Sequence, residues 1–279
     1  MHTRDILPAH TTVYHDIAYT ETGHPRHTLD IYLPKASRPT PVIVWIHGGA
    51  FRMGSKTDRV PLAMLTQGYA IVAINYRLSQ HAIFPAQIID CKAAVRWVRA
   101  HATQYNFDST RIIAWGESAG GHLASMLGTT GQMTAWDVGE YRDYPSMVQA
   151  VVDFYGPTDF LQMDSQRLPT GMTHDDADSP ESELVGGAIQ AHPAATAQAN
   201  PITHITPDAP PFLVIHGDND PLVPYGQSVI FVDALRQANM PVTFYTVRGG
   251  GHGGFNDPAI LPLVDTFLHA QRQSYPNIP

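Results

Sequence analysis

Arg111-Ile112-Ile113-Ala114-Trp115-Gly116-Glu117-Ser118-Ala119-Gly120-Gly121-His122-Leu123-Ala124-Ser125-Met126-Leu127 is the stretch that decides how this chain folds. The first five residues read as an apolar strand, Gly116 to Gly120 as a sharp turn, and the remainder as a helix. Such a turn forces Ser118 into a strained backbone conformation. Glycines on either side carry no Cβ, so strand and helix can close on each other. The Ser118 hydroxyl then stands exposed above a sheet. Beneath it lies a helix N-terminus, whose free N–H groups suit developing negative charge. The arrangement predicts that Ser118 is a nucleophile.

Outward from this turn, strand-like and helix-like segments alternate. Strands are expected over 29–33, 42–46, 70–74, 112–115, 150–155, 212–216 and 242–247. Helices are expected over 85–101, 119–127, 226–238 and 259–271. In the helix over 85–101 and just past it, Ile88, Cys91, Val95, Val98 and Ala102 recur on one face. The interior strands are rich in Val and Ile on both parities, as in a sheet covered on both faces. Repeated strand–helix units predict an α/β fold, a mostly parallel, doubly wound sheet flanked by helices, in one domain over 1–279. Two stretches, 128–147 and 160–207, break the rhythm. Both are expected to be insertions that shape a cleft over the site.

A serine hydroxyl needs a base, and the base needs an orienting acid. In a strand–turn–helix nucleophile fold these follow in the order serine, acid, histidine. His252 lies in Gly249-Gly250-Gly251-His252-Gly253-Gly254, just after the last expected strand, and is the predicted base. His269, further downstream on an expected helix, is the weak competitor. The preceding strand ends in His216-Gly217-Asp218-Asn219-Asp220-Pro221-Leu222-Val223-Pro224. Asp220 is the preferred acid, and Asp218 reads as a turn residue. Asp153 and Asp159, near an earlier strand end, are outside candidates. The oxyanion needs backbone donors. Gly49 and Ala50, in the loop His47-Gly48-Gly49-Ala50-Phe51 that follows the strand over 42–46, are two of them. Ala119, next to the nucleophile, is the third. His47 is expected to be structural.

The chain has 279 residues, 43% hydrophobic and 15% charged, with a net charge of −8. That composition argues against disorder, and its sign argues against nucleic acid and anionic membrane surfaces as partners. Cys91 is the single cysteine, so no intrachain disulfide forms, and its apolar helical position predicts a buried thiol. The fifteen histidines are scattered, without metal-ligand spacing, and no metal or cofactor is expected. Residues 1–8 lack the apolar stretch of a signal peptide, and no segment is apolar and long enough to span a bilayer. A cytoplasmic location is the default expectation.

These residues together resemble the α/β-hydrolase superfamily over nearly the whole chain. The His47-Gly48-Gly49 loop is similar to that of the hormone-sensitive-lipase-like esterases. So are Asn75-Tyr76-Arg77-Leu78-Ser79, Phe84-Pro85-Ala86 and Asp90. Where that group carries a third glycine this chain has Ala50, whose N–H keeps the donor. The stretch His216-Gly217-x-x-Asp220-x-x-Val223-Pro224 looks like the acid loop of prolyl-oligopeptidase and dienelactone-hydrolase relatives, which supports Asp220. Ser179-Pro180-Glu181-Ser182-Glu183-Leu184-Val185-Gly186-Gly187 and Asn200-Pro201-Ile202-Thr203 look like a bacterial group of acetyl and feruloyl carbohydrate esterases. The resemblance implies a serine carboxylesterase acting on short-chain acyl esters, with a small-molecule ester as partner and no cofactor. The alternatives are an amide hydrolase of the arylformamidase or acyl-peptide hydrolase type, and a non-catalytic ligand-binding protein on the same fold.

Overall fold

Runs such as Val42-Ile43-Val44-Trp45-Ile46 and Ile71-Val72-Ala73-Ile74 are apolar on both parities, and every residue in them is buried. The computed structural model describes residues 7–274, with side chains to Gln271. It places these runs inside one eight-stranded sheet. The strands are β1 (Thr12–Ala18), β2 (Thr28–Leu33), β3 (Thr40–Ile46), β4 (Ala70–Ile74), β5 (Phe107–Glu117), β6 (Ala150–Phe154), β7 (Phe212–Gly217) and β8 (Val242–Val247). The helices are α1 (Ala86–Ala100), α2 (Ala102–Tyr105), α3 (Ala119–Thr129), α4 (Met163–Gln166), α5 (Pro180–Val185), α6 (Pro193–Gln198), α7 (Gly226–Gln237) and α8 (Ile260–Ser274). The strand order is β1-β2-β4-β3-β5-β6-β7-β8. From β4 to β8 all pairs are parallel, whereas β1 and β2 run antiparallel to their neighbours.

Side-chain alternation divides the core into two layers. Val42, Val44 and Ile46 pack on one face with Ile88, Cys91 and Val95 of α1, Leu123 of α3 and Phe231 of α7. Ile43 and Trp45 face the other side, where Val264 and Leu268 of α8 cover them. This is an α/β-hydrolase arrangement, as expected.

Two features differ from the expectation. Strand β1 has no counterpart in the reading above, because it is a bulged edge strand whose residues are mostly exposed and carry no apolar run. The segment 128–147 leaves the end of α3 and enters the start of β6, so it lies at the opposite edge of the sheet from Ser118. No residue of it lines the cavity beside Ser118. It caps α1 instead: Lys92 Nζ donates to the Met133 carbonyl and Ser146 Oγ, and Arg99 donates to the carbonyls of Pro145 and Met147.

No helix among the described residues is long and apolar enough to cross a membrane. The N-terminal reading, over 1–8, falls largely outside the described residues.

Candidate active site

The strands from β3 to β8 other than β4 run side by side in parallel, so the loops after β3, β5, β7 and β8 emerge at one edge. That edge is where open α/β sheets assemble their sites. Ser118 sits between β5 and α3 with φ 53° and ψ −122°. The flanking glycines make this turn possible. A Cβ on Gly116 would lie 2.1 Å from the Gly120 carbonyl oxygen, and one on Gly120 would lie 2.0 Å from that of Ile46. The Ser118 N–H donates to the Phe154 carbonyl at 2.8 Å, which ties the turn to β6.

His252 reaches this turn from the loop after β8. Its Nε2 lies 2.9 Å from Ser118 Oγ, and its Nδ1 lies 2.7 Å from Asp220 Oδ2. A carboxylate on Nδ1 requires the proton there, so Nε2 is free to accept the serine hydroxyl. The Tyr155 ring packs against the imidazole with centroids 4.7 Å apart and restrains its orientation. Asp220 is fully enclosed. Its Oδ1 accepts the N–H groups of Leu222 (2.8 Å) and Val223 (3.0 Å). His216, also buried, lies 3.1 Å from Oδ2 through Nε2 and 2.7 Å from Ser228 Oγ through Nδ1. The acid therefore stands between two histidines.

Burial alone would raise the Asp220 pKa. Hydrogen bonds from His216 and His252 outweigh it and hold the carboxyl well below the usual carboxylate range. A depressed native pKa contributes stability that is complete above the unfolded value, near pH 4, and is lost as pH falls toward the native value. Urea midpoints of the wild type should therefore drop on acidification below about pH 4. Asp220→Asn should be less stable at pH 7 and show a shallower acid limb, and equal slopes for the two proteins would overturn this.

The other aspartates have different partners. Asp218 accepts the Gly249 N–H at 2.6 Å and so ties the acid loop to the His252 loop. Asp153 is buried against Ser125 Oγ and the Gly156 N–H, and Asp159 accepts the Leu161 N–H. Neither meets His252. His269 is exposed on α8. Cys91 is buried in the core.

The loop after β3 turns through three successive positive φ angles, at Gly49 (112°), Ala50 (53°) and Phe51 (58°). Among the described residues the N–H groups of Gly49 and Ala50 meet no hydrogen-bond acceptor. Ala119 is the first residue of α3, so its N–H has no acceptor within the helix. All three residues line the same cavity as Ser118 and His252. His47 locks the loop from behind. Its Nδ1 lies 2.6 Å from the Gly48 carbonyl, its Nε2 lies 2.8 Å from Arg26, and its ring stacks on Tyr76. Burial pushes its pKa down to about 4, with Arg26 adding to the effect, so it is neutral near pH 7. Arg77 grips Asp90 with Nε and Nη2 and anchors the loop that follows β4.

The cavity has a volume of about 1100 Å³. One wall carries Arg59, whose Nη1 lies 3.1 Å from Glu117. The opposite contribution comes from the segment 160–207, through Met172, His174, Pro180 and Glu181. Ser179 caps α5 by accepting the Ser182 N–H, with Pro180 at its first position. Sequence reasoning missed His216, Arg59 and the His174–Glu181 pair. His216 had a signal, its position four residues before Asp220 at a strand end, and Glu181 lay within the quoted stretch Ser179 to Gly187 without a role being read for it. Among the described residues no group of His, Cys, Asp and Glu is arranged to hold a metal ion.

The family model BD-FAE matches residues 29–235, well over half of the chain. The chain belongs to the BD-FAE family. The match to BD-FAE includes Ser118 and Asp220 and ends before His252. This BD-FAE chain is 38% identical over 240 residues to the probable carboxylic ester hydrolase LipM of Mycobacterium tuberculosis, covering 82% of this chain and 53% of that protein. It spans about half the length of the curated relatives it matches. Among solved structures, a truncated carbohydrate esterase from gut microbiota superposes with a TM-score of 0.86 at 34% identity, covering 93% of this chain and 96% of that one. A bifunctional GH43-CE protein of Bacteroides eggerthii gives 0.84 at 37% identity, covering 93% of this chain and 38% of that one.

Proposed function

We propose that this chain is a serine carboxylic ester hydrolase acting by two-step acyl transfer on short-chain acyl esters, with acetyl or feruloyl esters of carbohydrates as its substrate class. Ser118 attacks the ester carbonyl while His252 takes its proton, and Asp220 holds the imidazole and stabilises its charged form. The N–H groups of Gly49, Ala50 and Ala119 receive the oxyanion. His252 then protonates the departing alcohol. Water, deprotonated by the same imidazole, frees the acid from Ser118.

The observation that carries this reading is the continuous contact from Asp220 through His252 to Ser118, at 2.7 and 2.9 Å, beside unpaired backbone donors. The carbohydrate class rests on the two structural relatives named for carbohydrate esters or carrying the CE label, and on the size of the cavity. About 1100 Å³ far exceeds an acetyl group and leaves room for a bulky alcohol or aromatic acyl group. The part of the segment 160–207 that lines this space, around Met172 to Glu181, sets the specificity.

The test is hydrolysis of p-nitrophenyl acetate, butyrate, octanoate and ferulate, with a serine-directed phosphonate as trap. The short esters should turn over fastest, and the phosphonate should add one mass increment on the peptide containing Ser118. A protein that hydrolyses none of these esters and takes up no phosphonate is not a serine esterase.

A further inference from the structure

The cavity wall contributed by the segment 160–207 holds a buried ion pair that the hydrolytic machinery does not use. His174 is 1% exposed and Glu181, on α5, is 4% exposed, and both line the cavity with Ser118. The Nδ1 of His174 lies 2.9 Å from Glu181 Oε2. The backbone here is pinned by Asp164, which accepts the N–H groups of His174 (2.8 Å) and Asp175 (3.1 Å). The ring is therefore fixed in place and in tautomer, since a carboxylate on Nδ1 keeps a proton there. Among the described residues Nε2 has no partner in good hydrogen-bonding geometry, although the Leu222 carbonyl acts on the ring as an acceptor. A buried polar atom left unpaired costs stability, and native structures retain few of them. Nε2 has almost no exposed surface, so a ligand in the adjoining cavity reaches it only where the side chains around it yield.

We infer that His174, oriented by Glu181, is a specificity-determining residue that binds a hydroxyl group of a polyhydroxylated ester. The inference rests on the ester-hydrolase reading above and names what one wall of that site recognises. The chemistry selects a hydroxyl. With Nδ1 already occupied, the imidazole offers an N–H at Nε2 when charged and a lone pair when neutral. A hydroxyl both donates and accepts, so it satisfies the ring in either state. A carbonyl or carboxylate satisfies only the charged form. Burial alone would lower the His174 pKa, but the Glu181 hydrogen bond and the charges of Glu181 and Asp164 outweigh it, and the Leu222 carbonyl adds to the upward shift. Met172 and Leu222, long apolar side chains that are 36% and 45% exposed, also line this cavity and can yield to an entering sugar.

The experiment compares wild type, His174→Phe, His174→Leu and His174→Gln on p-nitrophenyl acetate, which has no hydroxyl, and on monoacetylated xylobiose, which has several. The readout is the ratio of kcat/KM for the sugar ester to that for p-nitrophenyl acetate. The ratio should fall about tenfold or more in the Phe and Leu variants, chiefly through KM on the sugar ester, and recover in large part with Gln, whose amide both donates and accepts. Leu serves where Phe does not fold, and a melting curve reports which variants are intact. A ratio that stays level while both activities fall together gives His174 a structural role only and overturns the inference. So does a wild type that cleaves p-nitrophenyl acetate and ignores the sugar ester. A wild type inactive on both overturns ester hydrolysis itself and takes this inference with it.

Discussion

Ser118→Ala is expected to lower kcat on p-nitrophenyl acetate by about 10⁴ to 10⁶-fold, the range seen when a nucleophile that works as one unit with its base is removed. The loss is large because every other group at the site acts through that oxygen. His252 Nε2 has Ser118 Oγ as its partner at 2.9 Å, and without it the imidazole can only activate water. The unpaired N–H groups of Gly49 and Ala50 remain, and they account for the residual rate over solution. Stability should hardly change. The hydroxyl is only partly buried, and alanine meets the same backbone conformation, φ 53° and ψ −122°, with the same Cβ. The check is a steady-state assay with active-site titration to exclude contaminating wild type, and a melting curve beside it. A variant that retains more than about one part in a hundred of the wild-type rate places the nucleophile elsewhere.

Asp137→Ala is expected to destabilise the fold by about 3 kcal/mol while leaving the chemistry of the folded enzyme unchanged. Lys92 and Arg96 lie one turn apart on α1, with side chains fully buried. Asp137 Oδ1 is 3.3 Å from Lys92 Nζ and 3.0 Å from Arg96 Nη1, and among the described residues it is the one carboxylate that pairs with both. Burial lowers the pKa of each cation, and the charge of Asp137 opposes that shift. Removing the carboxylate leaves two positive charges enclosed, held only by carbonyls and Ser146 Oγ. A loss of this size corresponds to a melting temperature lower by roughly 6–12 °C for a chain of this length. Differential scanning calorimetry measures it. At 20 °C kcat should match wild type, because the segment 128–147 lies at the edge of the sheet away from Ser118. A melting temperature within 2 °C of wild type would show that the carbonyls alone suffice.

The strands and the turn at Ser118 were legible because their signals are local. Val and Ile on both parities of β3 and β4 can be satisfied only between two covering layers, and Gly116 has a steric reason within a few residues, the Gly120 carbonyl. Asp220 and His252 were legible as candidates because chain order and strand ends restrict where partners can come from. What the chain alone left open was contact between residues far apart. The position of His216 four residues before Asp220 hints at their contact, but nothing near it says that His252 takes the other side, since His252 is 32 positions from Asp220 and 134 from Ser118. The place of the segment 128–147 was open for the same reason. Its break in the strand–helix rhythm is visible in the residues, but whether a connection passes over the top or the bottom of a sheet depends on which element ends there. His174 reads as an ordinary polar residue of a long insertion, and Glu181 as one position of the stretch Ser179 to Gly187, with nothing to join the two. Only the folding of that insertion onto the loop after β7 makes them a buried pair with one nitrogen left over. Periodicity and turn chemistry act over a few residues and can be read along the chain. A side chain's partners are set by strand order and loop path, which exist only once the sheet has assembled.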